Sequence, residues 1–166
     1  VCVGALLGRI VAPFYVRIER GVSYGPSPSP EHCLDVYQPL RQHKELLPCV
    51  LYIHGGGFRL CNSATHWLFY LPFICGRPFP GMAPVAPKGF HCVVFGTNYR
   101  KGAYPAAVED VCSAYLWLHK NASRYGGDPG RIIVAGDSAG ANLSVLLAMC
   151  CCYDFGSVLD VAGQVF

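Results

Sequence analysis

One stretch constrains the fold of this chain more than any other: an apolar run, a tight turn and a second apolar run in direct succession. Residues 132–135 are β-branched or small and predict a strand buried on both faces of a sheet. Residues 136–140 have the pattern G-x-S-x-G, and residues 141–149 predict a helix of small and apolar side chains. Strand, sharp turn and helix are the context of a nucleophile elbow, which lifts the Ser138 hydroxyl clear of the sheet.

The glycines of this turn favour the elbow, but the pentapeptide alone leaves an alternative open. Small residues two positions before and after Ser138 let the neighbouring backbone pack closely around a strained turn. The same pattern also occurs in ordinary strand-to-helix turns, in which Ser138 would be the helix N-cap. The rest of the chain has to decide between the two interpretations.

The composition indicates an α/β domain rather than a nucleic-acid-binding protein. The chain has 166 residues, of which 52% are hydrophobic and only 14% are charged. Such a balance suits a sheet whose central strands are buried on both sides. The net charge of +3 comes from scattered basic residues without a basic run. We therefore expect no nucleic-acid partner.

The ten cysteines indicate neither a metal site nor a disulfide framework. The sequence has no C-x-x-C pair and no cysteine–histidine cluster with zinc spacing, and we expect no metal and no cofactor. Cys49, Cys92 and Cys112 lie within apolar runs and predict small buried side chains. Reduced thiols in the core favour a reducing compartment, and hence a cytoplasmic location.

The first 16 residues are apolar but are interrupted by Arg9 and Pro13. They are too short to span a bilayer by themselves, and Arg9 favours a packed or peripheral helix. Peripheral membrane contact through residues 1–16 stays open, and an upstream anchor would make the protein membrane-associated. We divide the chain into an apolar N-terminal segment, 1–20, and an incomplete domain, 21–166. A start at Val1 and an end without completion of the fold suggest a fragment of a longer polypeptide, of unknown oligomeric state.

The remaining segments alternate between predicted strands and helices. Ahead of the run at 132–135, strands are predicted at 21–25, 33–39, 48–54 and 91–99. The second of these ends in proline, which is typical of an antiparallel edge strand. Helices are predicted over 62–75, capped by Asn62 or Ser63, and from Pro105 to the glycines at 126 and 127. This order predicts a mostly parallel sheet with helices on both faces.

Two glycine-containing segments outside the elbow also bear on function. Residues 54–58, His-Gly-Gly-Gly-Phe, directly follow the strand predicted at 48–54. A flexible turn would explain them in isolation, but their place before the first helix is where backbone amides form an oxyanion hole. The proline- and glycine-rich segment 76–90 predicts an irregular loop, long enough to be either functional or disordered.

Together these motifs make the chain similar to the N-terminal half of an α/β-hydrolase, in the hormone-sensitive-lipase-like group of carboxylesterases. The motifs that carry the resemblance, HGGG and GDSAG among them, run in family order from about residue 48 to 149. They are His54–Phe58, Asn98–Arg100, Tyr104–Asp110, Gly127–Pro129, Arg131–Ile132 and Gly136–Gly140.

The resemblance implies an α/β-hydrolase fold and a serine carboxylesterase in which Ser138 is the nucleophile. It also implies an oxyanion hole formed by the backbone amides of Gly56, Gly57 and Ala139. The side chains that it implies as supports of these loops, rather than as chemical groups, are those of His54 and Asp137.

The sequence departs from the family pattern at the rim of the expected pocket. The family often has an acidic residue at the position of Asn98, and it has a longer stretch where only residues 101–103 intervene here. The segment 76–90 is longer than usual in the family. These departures bear on the substrate class more than on the reaction class.

The chain also lacks the partners that activate a serine. In α/β-hydrolases the order is serine, then aspartate or glutamate, then histidine. All six histidines precede Ser138, and Asp154 and Asp160 follow it too soon to lie at the end of a later strand. We expect none of the histidines to be the catalytic base and the fragment itself to be inactive. The missing residues would then follow in the full-length product.

The favoured function is hydrolysis of a small-molecule carboxylic ester through an acyl-serine intermediate. Amide hydrolysis, as in formamidase-like relatives, needs the same elbow and stays open. A ligand-binding, receptor-like member of the fold is another interpretation, and a truncated gene product without function is a further one.

Overall fold

The structure is a computed structural model that describes residues 16–25, 29–76, 89–102 and 104–152. Its strands are β1 (Val16–Ser23), β2 (Cys33–Pro39), β3 (Leu47–Ile53), β4 (Val93–Thr97) and β5 (Gly127–Gly136). Its α-helices are α1 (Trp67–Cys75), α2 (Ala106–Asn121) and α3 (Ala139–Cys152).

The five strands form one mixed sheet in the order β1-β2-β4-β3-β5. β3 is parallel to both of its neighbours, β4 and β5, whereas β2 is antiparallel to β1 and to β4. The predicted mostly parallel sheet with an antiparallel start is therefore confirmed. β2 has its predicted bounds but is not an edge strand, because β1 pairs along its outer side. β1 begins at Val16, five residues before the strand predicted at 21–25.

Side-chain alternation along β3 separates two hydrophobic cores. Cys49, Leu51 and Ile53 belong to the core that α2 and α3 cover. Val50 and Tyr52 belong to the core on the opposite face, which α1 covers. All five side chains are buried, which is the two-sided burial expected of a central parallel strand. The prediction of helices on both faces of the sheet is confirmed.

The prediction that residues 132–135 are buried on both faces is wrong. β5 is the last strand in the sheet order, so its outer edge is unpaired among the residues that the structure describes. The side chain of Ile133 is 39% exposed, whereas Ile132 and Val134 pack partly against the core beneath α2 and α3. An apolar run shows that a strand can be buried, but it does not reveal whether a neighbouring strand covers it.

The helix predicted over 62–75 is divided in two. Asn62 accepts a hydrogen bond from the Thr65 amide, at 3.2 Å, and so caps a short 3-10 turn over Ser63–Thr65. The α-helix begins only at Trp67 and tolerates Pro72 in its interior. α3 begins at Ala139 and ends at Cys152, longer at both ends than predicted.

The predicted burial of Cys49, Cys92 and Cys112 is confirmed, since none of the three is exposed. Burial raises the pKa of the Cys49 and Cys92 thiols to about 12, so both are inert core side chains. The predictions for residues 1–15 and for most of the 76–90 loop lie outside the described residues. Within the described ranges, no helix has both the length and the apolar character needed to cross a bilayer.

Candidate active site

Ser138 lies at the corner between β5 and α3, where the sequence placed it. β5 ends at Gly136, and α3 begins at Ala139. Ser138 has a φ of 50°, in the left-handed region that a serine rarely adopts. Its side chain is exposed, and its hydroxyl has no hydrogen-bond partner among the residues that the structure describes. A strained backbone that holds an exposed hydroxyl above the sheet is the geometry of a nucleophile elbow.

The two glycines of the elbow lie against the end of β3. A Cβ atom on Gly136 would lie 2.6 Å from the carbonyl oxygen of Ile53 and 2.7 Å from the backbone of Gly140. A Cβ atom on Gly140 would overlap the same Ile53 oxygen and lie 2.8 Å from the carbonyl oxygen of His54. The neighbouring atoms are all backbone, so they cannot move aside as a flexible side chain would. Close backbone packing thus requires glycine at both positions.

The glycine loop that follows β3 leaves backbone donors free. Gly56 has a φ of 120° and Gly57 a φ of 60°, and the Gly56 carbonyl accepts hydrogen bonds from the amides of Arg59 and Leu60. Within the described ranges, the amides of Gly56 and Gly57 themselves donate no hydrogen bond. Ala139, the first residue of α3, has an amide without an intrahelical acceptor. These are the three amides that the resemblance assigns to an oxyanion hole.

Asp137 joins the elbow to the glycine loop. Its Oδ1 accepts hydrogen bonds from the Gly55 amide, at 3.1 Å, and from the Tyr52 hydroxyl, at 3.2 Å. The Nε2 atom of His66 lies 3.3 Å from the same oxygen. The carboxylate is therefore engaged by three groups from other segments. This arrangement supports the structural role implied for Asp137.

Sequence reasoning did not identify Tyr52 and His66 as part of this site. Tyr52 is the only polar side chain in the middle of β3, and burial raises its pKa, so its hydroxyl keeps the proton that it donates. That lone hydroxyl was a signal available in the sequence. For His66, nothing in the sequence distinguished the ring from the other scattered histidines.

His54 is buried and stabilises the glycine loop. Its Nδ1 donates to the carbonyl oxygen of Gly55, at 2.6 Å, and its ring stacks on Tyr99 at a centroid distance of 4.4 Å. The Tyr99 hydroxyl donates to the His54 carbonyl oxygen, at 2.8 Å. Burial lowers the pKa of His54 to about 4, and its Nε2 has no partner in the described part of the chain. A ring that stays neutral and enclosed at pH 7 supports the structural role that the resemblance implies for His54.

This low pKa predicts how the stability of the chain depends on pH. An unfolded histidine titrates near pH 6.5, so protons bind the unfolded chain more strongly than the folded chain, whose His54 pKa is about 4. The His54 contribution to the free energy of unfolding is thus fully present above pH 6.5. It falls as the pH drops towards 4, by up to about 3 kcal/mol.

We expect His54→Phe to reduce the loss of unfolding free energy between pH 6.5 and pH 4. The measurement is urea unfolding of the wild type and the variant at pH 7, 6, 5 and 4. His119→Phe is the matched control, because His119 is exposed on α2 and its replacement should leave the slope unchanged. Parallel pH dependences for the wild type and His54→Phe would contradict the assignment.

Arg100 and Asp110 hold the segment that lies beside the glycine loop. Asp110 is buried and accepts hydrogen bonds from the Arg100 amide, at 2.6 Å, and from its guanidinium, at 2.9 Å. Two residues further on, the Gly102 amide donates to the Phe58 carbonyl oxygen, at 3.0 Å. Asn98 accepts a hydrogen bond from the Ser63 amide, at 2.8 Å. Asn98, which departs from the family pattern, thus holds the segment after the glycine loop in place.

The histidines do not provide Ser138 with a base in the described ranges. His32 lies 3.3 Å from Asp110, and the rings of His43 and His91 lie 5.1 Å apart. His66 contacts Asp137, and His119 is exposed on α2. The described residues also contain no group of three histidine, cysteine or acidic side chains that would hold a metal ion.

Comparisons with known proteins agree with this geometry. Residues 50–166 match the model of a family with the alpha/beta hydrolase fold. The chain belongs to this alpha/beta hydrolase family. The resemblance drawn from the HGGG and GDSAG motifs is therefore confirmed.

The similar proteins carry names of esterases and of a deacetylase. This chain is 37% identical over 108 residues to carboxylesterase NlhH of Mycobacterium tuberculosis, and the match covers 63% of this chain and 30% of the relative. It is 35% identical to arylacetamide deacetylase of Bos taurus, over 68% of this chain and 27% of the relative. A solved esterase from Pyrobaculum calidifontis is 30% identical, with a TM-score of 0.63, over 88% of this chain and 45% of that one. This chain thus spans about 30% of the length of these curated relatives.

Proposed function

We propose that this chain is part of a carboxylic-ester hydrolase in which Ser138 is the nucleophile. The observation that carries the proposal is the exposed Ser138 hydroxyl, on a strained backbone beside the free amides of the glycine loop and of α3. Esterase names among the relatives and solved structures support ester hydrolysis as the reaction. The substrate would be a small-molecule carboxylic ester.

The geometry supports a reaction in two stages. In the first stage, Ser138 Oγ attacks the ester carbonyl carbon, and its proton passes to a general base. The negative charge that develops on the carbonyl oxygen is stabilised by the amides of Gly56, Gly57 and Ala139. The ester C–O bond then breaks, and the alcohol leaves with that proton. In the second stage, water attacks the acyl-serine, and the acid and the free Ser138 hydroxyl are released.

Amide hydrolysis is the second candidate function. An arylacetamide deacetylase is among the relatives, and the same elbow and amides serve an amide carbonyl. Ester hydrolysis is favoured because several of the similar proteins are named esterases. A receptor-like member would need neither the exposed hydroxyl nor the free amides, so both features favour an enzyme.

We propose a cytoplasmic location for the chain. Reduced core thiols favour the cytoplasm. Peripheral membrane contact would involve residues 1–16, almost all of which lie outside the described residues. Neither the charge pattern nor the site suggests a nucleic-acid partner.

The nucleophile can be tested on the chain itself with an alkyl fluorophosphonate. In serine proteases that lack a triad member, the oxyanion hole and substrate binding still give roughly 10³-fold catalysis over water. Free amides beside Ser138 should likewise favour attack of its hydroxyl on a phosphonate, although slowly without a base. We expect a slow covalent adduct, located by peptide mass spectrometry on Ser138, and no adduct in Ser138→Ala. Ser144→Ala is the matched control, since Ser144 lies six residues further on in α3 and donates to the Gly140 carbonyl. A Ser138 that reacts no faster than Ser144 would contradict the proposal.

A further inference from the structure

We propose that His66 is a positioning residue for the elbow, which acts on Ser138 through Asp137. The Nε2 atom of His66 lies 3.3 Å from Asp137 Oδ1, and Asp137 directly precedes the nucleophile. The consequence for hydrolysis rests on the proposed role of Ser138. The contact itself does not depend on that role.

The Asp137 side chain needs partners to hold its position, because burial alone does not fix it. It is 35% exposed, whereas the His66 side chain is only 9% exposed. The ring of His66 is enclosed by Phe69, at a centroid distance of 5.6 Å, by His54, at 5.7 Å, and by Tyr52, at 6.4 Å. A fixed ring thus adds a third contact to a carboxylate whose rotamer only Tyr52 and Gly55 would otherwise restrict.

The hydrogen-bonding groups around His66 determine which ring nitrogen carries a proton. A carboxylate oxygen only accepts, so the contact is attractive when Nε2 carries a proton. On the other side of the ring, Nδ1 lies 2.8 Å from Thr65 Oγ1 and so has a hydroxyl partner. That hydroxyl can donate its proton either to Nδ1 or to the Asn62 carbonyl oxygen, at 2.7 Å.

This choice at Thr65 is compatible with a proton on Nε2 of His66. When the Thr65 hydroxyl donates to Nδ1, the ring proton resides on Nε2. An N–H group of His66 then faces the Asp137 carboxylate.

The segment that precedes His66 is anchored firmly enough to act as a support. The hydroxyl of Ser63 donates to Asp35 in β2, at 2.9 Å, and its amide donates to Asn98 after β4, at 2.8 Å. The carbonyl oxygen of Ser63 accepts a hydrogen bond from Tyr70 in α1, at 2.8 Å. Three bonds to three elements thus fix the 3-10 turn from which His66 projects.

The consequence for the site runs through the oxygen that His66 contacts. Asp137 Oδ1 also accepts the Gly55 amide, at 3.1 Å, so the same carboxylate holds both the elbow and the start of the glycine loop. Without His66, the Asp137 carboxylate keeps only the Tyr52 hydroxyl and the Gly55 amide as partners. The Gly55 amide should then open more often, and the free amides of the loop should be less well aligned with Ser138.

The first experiment measures hydrogen exchange at the Gly55 amide by NMR in three forms of the chain. His66→Phe keeps an aromatic ring but removes the N–H donor, and His66→Gln keeps an N–H donor on a side chain of similar reach. We expect Gly55 exchange about fivefold faster in His66→Phe and within about twofold of the wild type in His66→Gln. The Leu51 amide in β3 is the internal reference.

Two results of this experiment would overturn the inference. One is an equal acceleration at Gly55 and Leu51 in His66→Phe, which would mean that the ring only stabilises the fold. The other is an unchanged Gly55 exchange rate in His66→Phe, which would mean that the contact does not position Asp137.

The second experiment separates this inference from the proposed function. We compare fluorophosphonate labelling of Ser138 in the same three forms and expect a reduction of about fivefold in His66→Phe that His66→Gln largely restores. If Ser138 is not labelled in the wild type, the proposed function fails and Gly55 exchange still decides the role of His66. If Ser138 is labelled equally in all three forms, His66 does not position the nucleophile.

Discussion

Gly140→Ala is expected to destabilise the chain by about 3 kcal/mol or more, a large fraction of the stability of a domain. The added Cβ would overlap the Ile53 carbonyl oxygen and lie 2.8 Å from the His54 carbonyl oxygen. Relief requires the end of β3 to move away from the elbow, although Ile53 is paired with Gly136 in the β3–β5 ladder. Strand pairing and elbow packing therefore cannot both be kept.

The measurement is urea unfolding followed by circular dichroism, with Gly130→Ala as the matched control. Gly130 lies in β5, before the elbow, and a Cβ there would approach only the flexible Asp128 side chain, at 3.3 Å. We expect this control to change the stability by less than about 1 kcal/mol. Equal unfolding midpoints for the two variants would show that the close packing at Gly140 is not required.

The order of strands and helices could be predicted because it depends on local patterns. The apolar run of β3, the glycines of the elbow and the small residues of α3 each determine their own conformation. The same holds for β2, whose bounds, Cys33–Pro39, match the prediction. Its place in the sheet did not follow from the same pattern, because Pro39 is typical of an edge strand, whereas β2 is paired on both sides. The alternating residues 16–20 extend the first strand, and this extension pairs with the outer side of β2.

The exposure of β5 among the described residues did not follow from its apolar run either. Residues 132–135 are as apolar as those of a central strand, yet Ile133 is 39% exposed. Hydrophobicity reports the environment that a strand is suited to, whereas its neighbours in the sheet are set by the rest of the chain. The sequence of such a run therefore does not reveal which strand will pair with it.

The candidate site was predictable where a motif carries its own geometry. Ser138 and the free amides of Gly56 and Gly57 follow from two short glycine-containing segments. The contact between His66 and Asp137 joins residues 71 positions apart in the sequence, and only the packing of α1 against the sheet brings them together. A histidine among apolar residues offers no local sign of such a partner.

We expect the 166-residue chain to hydrolyse p-nitrophenyl butyrate at about 10⁻⁴ of the rate of an intact esterase, or less. The physical reason is the absence of a base. No histidine follows Ser138, and His54 and His66 are held by Gly55 and Asp137. A serine hydroxyl without a base to take its proton is a weak nucleophile at neutral pH, even beside an oxyanion hole.

The measurement is the turnover of the chain after subtraction of the rate for Ser138→Ala, with the Pyrobaculum calidifontis esterase as the intact reference in the same assay. A Ser138-dependent rate within about tenfold of that reference would contradict the prediction. It would mean that one of the six histidines reaches the serine after all, and replacement of each histidine by glutamine would identify it. A negligible rate together with a slow phosphonate adduct at Ser138 would separate the two contributions to catalysis, because the amides would be in place while the proton acceptor is not.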